Sequence, residues 1–364
     1  MNQVNFSDEI IGYQCIKCKR EYPLEDMYEG CPRCKSNGKP SSVKPIYQGF
    51  FNGENWLPFQ MAVSLGEGST PLLDVATNHG NFYIKNEASN PTGSHKDRMS
   101  SFTISMAIAN GYRGVVAASS GNAGLSLASY ASYANIPCVI ISTDNLNEQL
   151  ASYIKSTGAE LVLTKTSLER WELTKEYVKD GFLSATNYID PPVGSQPIGI
   201  QAYKLVAREC YGQLGSNPNA LVIPTSRGDL IWGIYEGFSE LKQAKFIEKI
   251  PKLFAVEPFE RISKVLDGEK YTNHFNQNTN LKSIAGATVT WQSLQAVIES
   301  NGYAINVTEE EALDAQALMG RTGIHLELSS STAIAAIKQI RKDKLVEGND
   351  SIIAVTTSSR FTPI

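Results

Sequence analysis

Four cysteines near the amino terminus have the spacing of a metal site. They follow the pattern Cys15-x2-Cys18-x12-Cys31-x2-Cys34. Each C-x2-C turn presents two thiolates to one ion, and four thiolates complete the tetrahedral shell of a structural Zn²⁺. Reduced cysteines without a metal are the other interpretation. The segment from 13 to 40 has few large aliphatic side chains, so bound zinc could replace the core that it lacks.

A lysine lies among small, turn-forming residues in the segment 86–101, NEASNPTGSHKDRMSS. This residue, Lys96, comes just before a helix that we predict to begin near Arg98. Doubly wound folds bind ligands in the cleft at the strand ends, and a partly desolvated amine placed there can attack an aldehyde. A lysine between charged neighbours is also typical of an exposed turn, and the segment alone leaves both interpretations open.

Two strand-to-helix turns have the composition of anion-binding sites. The first turn contains Ser119, Ser120, Gly121, Asn122 and Ala123. The second turn contains Thr225, Ser226, Arg227, Gly228 and Asp229. Backbone N–H groups at a helix start, with hydroxyl groups beside them, bind carboxylates or phosphates, although helix capping alone explains the same residues. The charge of Asp229 opposes an anion, and Arg227 could compensate for it.

A last strand, SIIAVTTSS, ends in hydroxyl-bearing residues that begin with Thr356 and Thr357. Such side chains reach the cleft at the strand ends, and an ordinary polar strand terminus would look the same. The four histidines are widely separated and indicate neither a metal site nor a catalytic triad. The G-x-S-x-G, G-x-x-x-x-G-K-[ST] and G-x-G-x-x-G motifs are absent, which argues against the usual hydrolase, nucleotide and dinucleotide functions.

Composition and charge restrict the partners. The formal net charge of −4, with no dense Lys/Arg run, argues against a nucleic-acid partner. No stretch approaches the roughly 20 apolar residues that cross a bilayer. The amino-terminal sequence MNQVNFSDEI has no basic region followed by an apolar run. We therefore expect a cytoplasmic protein that binds a small molecule and neither a nucleic acid nor a membrane.

Alternating strands and helices must position these residues. The predicted strands are GVVAAS, PCVIIST, AELVLT, ALVIPT, KLFAVEP and SIIAVTTSS. The predicted helices are AGLSLASYASYA, NEQLASYIKSTG, SLERWELTKEYVKDG and IQAYKLVARECYGQLG. This alternation indicates parallel sheets covered by helices on both faces, and 364 residues suggest two lobes. The stretch 262–302 has weak periodicity, and no element is predicted there.

In this order and spacing, the segments resemble the pyridoxal 5′-phosphate (PLP) enzymes of fold type II, and most closely the threonine synthase family. The motifs that carry the resemblance are the four-cysteine ribbon, GEGSTPLL, NPTGSHKDR, SSGNAG, PTSRGDL and AVEP. The resemblance implies an α/β fold of two doubly wound open-sheet lobes, of the tryptophan synthase β-like class, with a small amino-terminal zinc ribbon. It also implies a homodimer, since this family commonly forms dimers.

The resemblance implies a division into three parts. Residues 1–42 would be the zinc ribbon, and residues 43–98 together with 187–364 the large PLP-binding domain. Residues 99–186 would form a smaller, mobile α/β domain.

The resemblance also assigns roles to individual residues. Lys96 would be the Schiff-base lysine and the catalytic base, and Asn122 would lie near the 3-hydroxyl group of PLP. The turn from Ser119 to Ala123 would bind the carboxylate of an amino-acid substrate, and Asn187 would belong to the substrate site. The turn from Thr225 to Asp229 would face the cofactor phosphate.

Thr356 aligns best with the hydroxyl group that meets the pyridine nitrogen of PLP, with Thr357 as the alternative. A hydroxyl partner does not hold this nitrogen protonated, so the ring is a weaker electron sink than one paired with an aspartate. This favours elimination and replacement over transamination.

Several positions depart from the family pattern. TSRGD replaces a loop rich in glycine and asparagine, and His95 stands where phenylalanine is commoner. Asn187 is matched, but Tyr188, Val193 and Gln196 stand where threonine synthases tend to have Ser, Arg and Lys. Those residues help to bind the phosphate of O-phosphohomoserine or shape the adjoining site, and without them O-phosphohomoserine would be a poor substrate, so the substrate does not follow from the resemblance.

We predict a PLP-dependent carbon–oxygen lyase or synthase that acts at Cβ or Cγ of an amino acid. One candidate reaction is that of threonine synthase, from O-phosphohomoserine to threonine and phosphate. The first alternative is a diverged β-eliminase or β-replacement enzyme acting on serine, O-phosphoserine or a related amino acid. The second, from another class of protein, is a catalytically inactive PLP fold that binds a partner through its ribbon.

Overall fold

The computed structural model describes residues 4–52, 56–77, 80–359 and 361. The strands are β1 (Asn5–Phe6), β2 (Ile10–Cys15), β3 (Glu21–Tyr22), β4 (Val43–Tyr47), β5 (Phe59–Met61), β6 (Leu72–Thr77), β7 (Gly80–Asn86), β8 (Gly114–Ala118), β9 (Cys138–Thr143), β10 (Glu160–Thr164), β11 (Phe182–Ser184), β12 (Ala220–Pro224), β13 (Lys252–Glu257), β14 (Tyr303–Asn306) and β15 (Ile352–Thr356). The helices are α1 (Pro32–Ser36), α2 (Lys96–Ala109), α3 (Asn122–Ala134), α4 (Glu148–Ser156), α5 (Ser167–Lys179), α6 (Pro197–Ile200), α7 (Lys204–Leu214), α8 (Asp229–Gln243), α9 (Ile262–Leu266), α10 (Trp291–Glu299), α11 (Glu309–Gly320) and α12 (Leu328–Lys342).

The predicted strands and helices are confirmed, and the helix predicted near Arg98 begins at Lys96. The stretch 262–302, where no element was predicted, contains α9 and α10. Among the helices of the described residues, none has both the length and the apolar character needed to span a membrane.

The chain forms two compact units. The first comprises the described residues of Met1–Glu67 and Lys96–Ala202. The second comprises those of Gly68–His95 and Tyr203–Thr362.

The first unit contains a parallel four-stranded sheet in the order β10-β9-β8-β11. Val115 and Ala117 of β8 face a core that includes side chains of α2 and α3, whereas Val116 faces the core beneath α5. Alternate residues of a strand point to opposite faces, so β8 has to be apolar throughout. The chain runs from β8 outward to β10 and returns to place β11 on the other side of β8, which makes the sheet doubly wound.

The cysteine-rich segment belongs to this first unit as a three-stranded antiparallel sheet in the order β3-β2-β4, with α1 beside it. Tyr28 Oη lies 2.6 Å from Tyr112 Oη, whose hydroxyl also lies 2.6 Å from Asp26 Oδ1. Phe59 packs edge-on against Phe102 of α2, with 5.5 Å between the ring centroids.

These contacts help to set the bounds of the first unit, because the ribbon, β5 and α6 all pack within the core that α2 shares. The three-part division and the mobility of the 99–186 part stay predictions.

The second unit contains a six-stranded sheet in the order β14-β13-β12-β15-β7-β6. All neighbours are parallel except β6, which runs antiparallel to β7. The residues of β12 and β15 are fully buried, as is usual for parallel strands covered on both faces. The last strand, β15, is inserted between β7 and β12, so the strand order reverses in the middle of this sheet.

Candidate functional site

Lys96 is the first residue of α2, and its side chain is partly exposed. The first turn of α2 is fixed to α3 through hydroxyl groups. Ser126 Oγ lies 2.6 Å from Asp97 Oδ1 and 2.7 Å from Ser100 Oγ. Asp97 and Ser126 are fully buried, so these bonds form in a low-dielectric interior and fix the helix start firmly.

A small recess lies beside Lys96 in the first unit. Its volume is about 30 Å³. The described residues that line it include Ser100, Thr103, Leu127, Thr186 and Ser195. Thr186 lies just after β11, and its Oγ1 accepts a 2.9 Å hydrogen bond from the backbone N–H of Ala118 at the end of β8. Open α/β sheets bind ligands outside the strand ends at the point where the strand order reverses, which here is between β8 and β11.

The turn from Ser119 to Ala123 joins β8 to α3, as predicted. Gly121 is the N-cap residue and has no side chain that competes for the first N–H groups of the helix, an arrangement suited to an anion. Ser119 Oγ accepts a 3.0 Å hydrogen bond from the N–H of Gly124. The Ser119 hydroxyl therefore occupies the N–H of the third helical residue, but the N-cap itself is Gly121 and not a serine.

Arg170 brings a positive charge to the same turn. Its Nη1 donates to Ser120 Oγ at 3.2 Å and its Nη2 donates to Ser167 Oγ at 3.0 Å. A guanidinium group next to a helix start adds to the attraction for a carboxylate. Nothing local in the sequence marks Arg170 as a site residue, because it lies on α5, 50 residues from Ser120.

Both asparagines that were predicted to bind substrate are buried. Asn122 begins α3. Asn187 donates from Nδ2 to the carbonyl of Ile189 at 2.8 Å, and its Oδ1 accepts from the N–H of Val193 at 3.1 Å. These bonds support a role for Asn187 in shaping its own loop, and its direct contact with substrate stays a prediction.

The three positions that depart from the family pattern in this loop are buried and uncharged. Tyr188 and Val193 pack together with Ile189 in one cluster. Burial, assisted by the nearby Glu29 carboxylate, raises the pKa of Tyr188 to about 12. Gln196 is 2% exposed, and its Oε1 accepts a hydrogen bond from the N–H of Gly199.

In the second unit, the turn from Thr225 to Asp229 joins β12 to α8. Gly228 is the N-cap residue with φ +91°, and a Cβ atom added there would lie 2.4 Å from Ser293 Cβ. Only glycine fits both the left-handed backbone and this close approach. The first N–H groups of the 15-residue α8 thus point out of a tight glycine turn beside two hydroxyl groups, which fits the phosphate of PLP.

The segment 286–293 braces this turn from the side. Thr290 Oγ1 donates to the carbonyl of Arg227, and Gln292 Nε2 donates to Asp229 Oδ1. Arg227 Nε lies 3.4 Å from Thr288 Oγ1. Because the Asp229 carboxylate accepts a hydrogen bond from Gln292, one of its two oxygens already has a partner in the segment 286–293. This segment lies in the stretch to which the sequence analysis assigned no element.

A buried ion pair contacts the Thr225–Asp229 turn. Arg261 and Glu257 are fully buried, with 3.6 Å between Nε and Oε2. Arg261 Nη2 donates to the carbonyl of Thr225 at 2.9 Å, and its Nη1 donates to the carbonyl of Gly286. Desolvation, opposed by the Glu257 charge, lowers the pKa of Arg261 to about 10. Desolvation also lowers the pKa of Arg227, against the opposing charge of Asp229.

Thr356 ends β15, the strand next to β12, so its side chain and the Thr225–Asp229 turn lie at the same edge of the sheet. Its Oγ1 is buried, 3.3 Å from both the carbonyl of Lys85 and Asn86 Oδ1. The carbonyl of Thr357 accepts bonds from the backbone N–H (2.9 Å) and Nδ1 (3.1 Å) of His95. The ring nitrogen Nδ1 of His95 therefore has a specific hydrogen-bond partner. A phenylalanine at this position has no ring nitrogen and could not make this bond.

The four amino-terminal cysteines converge as predicted. Their Sγ atoms all lie within 4.8 Å of one another. Cys15 and Cys34 are 3.6 Å apart, and Cys18 and Cys31 are 3.7 Å apart. A tetrahedral Zn²⁺ with Zn–S bonds of about 2.3 Å requires S–S separations of about 3.8 Å. The cluster therefore has the ligand type and the spacing of a structural zinc site.

A parallel sheet and a mainly parallel sheet with interior switch points, together with a lysine at the start of a helix, are the features expected of the fold type II PLP class. The family model described as "Pyridoxal-phosphate dependent enzyme" matches residues 63–358, and the chain belongs to this family. The resemblance to fold type II enzymes is thereby confirmed.

Individual relatives agree with this assignment. The threonine synthase of Methanocaldococcus jannaschii is 26% identical over 94% of this chain and 91% of its own length. The threonine synthase of Mycobacterium bovis is 28% identical over 84% of each chain. The processed form of threonine deaminase isoform 2 from Solanum lycopersicum has the same fold, with a TM-score of 0.66 and 22% identity over 80% of this chain and 84% of that one.

Proposed function

We propose that the protein catalyses elimination or replacement at Cβ or Cγ of a small amino acid, with PLP held on Lys96. The observation that carries this proposal is the placement of Lys96 at the start of α2 beside the recess at the β8–β11 switch point. The family membership and the glycine turn before α8 support it. Bound PLP supplies an electron sink for the negative charge that develops at Cα.

The chain's own groups would divide the work as follows. Lys96 Nζ would take the Cα proton as general base. The helix start at Ser119–Ala123, together with the Arg170 guanidinium, would hold the substrate carboxylate. The turn Thr225–Asp229 would hold the cofactor phosphate, and Thr356 Oγ1 would meet the pyridine nitrogen. Zn²⁺ on Cys15, Cys18, Cys31 and Cys34 would have a structural role.

Replacement of Lys96 by alanine tests the assignment. We expect Lys96→Ala to lose both the visible absorbance of bound PLP and turnover, while its thermal unfolding stays cooperative. Lys175→Ala is the matched control, because Lys175 lies on the exposed face of α5 in an ion pair with Glu172, and it should keep both properties. If Lys96→Ala retained the absorbance and the turnover, the proposal would be wrong.

The reaction of threonine synthase is a second candidate, favoured by the names of the curated relatives. It predicts phosphate release from O-phosphohomoserine, whereas β-elimination from serine predicts ammonia and a keto acid. A panel of both substrates, assayed for phosphate and ammonia, separates the two.

A protein that stays colourless with added PLP and binds a macromolecule through residues 13–40 would instead be the inactive binding module. We further propose that the protein is a cytoplasmic homodimer. A sedimentation experiment measures the mass of the assembly.

A further inference from the structure

A chain of buried hydroxyl groups connects Asp97 to the wall of the recess beside Lys96. Ser126 of α3 is the middle member, with its Oγ 2.6 Å from Asp97 Oδ1 and 2.7 Å from Ser100 Oγ. All three members are buried. Ser100 lines the recess together with Lys96, whereas Asp97 and Ser126 are not among the described residues that line it. The chain therefore runs from a buried carboxylate to the recess.

The carboxylate of Asp97 fixes the direction of these hydrogen bonds. Asp97 lies in the first turn of α2, where the helix dipole favours the charged form, and an ionised carboxylate only accepts hydrogen bonds. Ser126 has one hydroxyl hydrogen, and the charged oxygen of Asp97 is the stronger of its two acceptors. Two hydroxyl oxygens 2.7 Å apart need a hydrogen between them, so Ser100 has to supply it. Only lone pairs of the Ser100 oxygen are then left for the recess.

The Ser100 oxygen and the Lys96 amine can meet across the recess. The two residues are neighbours on the surface of α2, because side chains four positions apart have Cβ atoms about 5–6 Å from each other. Helical side chains lean toward the amino terminus of the helix, so Ser100 leans toward Lys96. The recess they share has a volume of about 30 Å³, which leaves space on the order of one or two water molecules between its walls.

We propose that Ser100 is a positioning residue for the Lys96 amine, and that Asp97 acts on this amine through Ser126 and Ser100. When Lys96 Nζ takes the Cα proton, it becomes an ammonium group that donates an N–H bond to Ser100 Oγ. The proton stays on Nζ, and the two polarised hydroxyl groups pass the stabilising effect of the Asp97 charge to it. This inference rests on the proposed function, since it concerns the same lysine.

The other ionisable groups near this chain do not titrate with Lys96. Lys96 is the one ionisable side chain among the described residues that line the recess. On α3, Tyr130 Oη donates to Glu67 Oε2 at 2.7 Å. Desolvation, assisted by the charges of Asp97 and Glu67, raises the pKa of Tyr130, which keeps this phenol neutral where lysines titrate. Arg98, on the same helix as Lys96, keeps its charge throughout.

The pH dependence of Lys96 acetylation in the full-length chain without PLP tests the inference. Acetic anhydride reacts with the neutral amine, so the pH midpoint of the rate reports how firmly Nζ holds its proton. Mass spectrometry follows the reaction, with the exposed Lys155 of α4 as internal reference. We expect Ser100→Ala and Ser126→Ala each to lower the midpoint by about one pH unit, because the ammonium group loses its acceptor or the charge behind it.

Three further variants make the test specific. Ser100→Thr keeps the hydroxyl group and should restore the midpoint. Asp97→Asn removes the charge that imposes the bond direction, so it should lower the midpoint even if Ser126→Ala fails to fold. Ser129→Ala is the matched control on α3, because Ser129 Oγ donates to the carbonyl of Leu125 at 2.9 Å within the helix, and it should leave the midpoint unchanged.

Turnover of the PLP-loaded enzyme gives a second measurement. In Ser100→Ala and Ser126→Ala, kcat should fall about tenfold with little change in KM, because the base is weaker and less well oriented while substrate binding is kept. An unchanged acetylation midpoint in both variants would overturn the inference. A shift in Ser100→Ala that Ser126→Ala and Asp97→Asn lack would also overturn it, since the carboxylate would then have no part.

An equal shift in Ser129→Ala would likewise overturn the inference, because it would show a general loosening of α3. Failure of the chain to acquire visible absorbance with PLP would instead refute the proposed function. That result is distinct from the acetylation midpoints, which are measured without the coenzyme.

Discussion

The guanidinium group of Arg261 donates a 2.9 Å hydrogen bond to the backbone carbonyl of Thr225, the first residue of the turn before α8. The same guanidinium donates to Gly286 and is paired with Glu257, and both charged residues are fully buried. The Arg261 side chain thus links the Thr225–Asp229 turn to the segment 286–293. We infer that Arg261 positions the turn that is proposed to hold the cofactor phosphate.

Replacement of Arg261 should weaken PLP binding. Arg261→Met removes both bonds and the cation beside Glu257, whose carboxylate keeps its hydrogen bonds from the N–H groups of Ile262 and Ser263, so we expect a loss of about 2–3 kcal/mol in unfolding free energy. The Kd for PLP should rise about tenfold from the loosened turn, and the ³¹P signal of bound PLP should shift. Arg261→Lys should recover part of both. Lys264→Met, on the exposed side of α9, is the control, and equal effects in both variants would contradict a specific role.

Replacement of Arg170 should affect substrate binding more than the chemical step. Arg170→Gln removes the guanidinium that donates to Ser120, so KM should rise roughly tenfold with a small change in kcat. Steady-state kinetics on the same amino acid measures both. Lys175→Gln on the same helix tests for a general charge effect. A fall in kcat at constant KM would show that Arg170 does not hold the ground-state carboxylate.

Much of the fold follows from local patterns, whereas the supports of the site do not. The strands around Val115 and Val222 could be predicted because buried parallel strands are continuous apolar runs. Both glycine turns could be predicted because a strand, small polar residues and a helix follow one another in the sequence. Arg261 could not, since its significance depends on its contacts with Thr225 and Gly286, which lie far from it along the chain.

Removal of zinc should unfold the ribbon. In the zinc-loaded protein, chelation or Cys15→Ser should release one Zn²⁺ per chain and lower the thermal midpoint, because the metal would join the turn after β2 to α1 through the four cysteines. A colorimetric zinc assay and calorimetry measure the two effects. Cys210→Ala is the control, since Cys210 is buried in α7 outside the cluster, and it should keep the metal. Full stability without zinc would show that the four cysteines form a metal-free core.

Two of the three members of a buried ion cluster between α7 and α8, Lys204 and Glu240, should differ in the effect of their replacement on stability. Lys204 and Glu240 are paired, and Arg208 Nη2 also lies 2.9 Å from Glu240 Oε2. Glu240→Gln would leave two cations without their carboxylate, so we expect a loss of about 3–5 kcal/mol. Lys204→Met leaves Glu240 with Arg208 and should cost far less.

The pH dependence of these two variants gives an independent check. Desolvation lowers the pKa of Lys204 below its ordinary value despite the Glu240 charge. The folded state therefore binds this proton more weakly than the unfolded state does. The destabilising effect of the buried ammonium is complete below the folded pKa and diminishes as the pH rises through it. Urea unfolding from neutral to alkaline pH should thus show wild-type stability rising relative to Lys204→Met, and a constant difference would mean that Lys204 keeps an ordinary pKa.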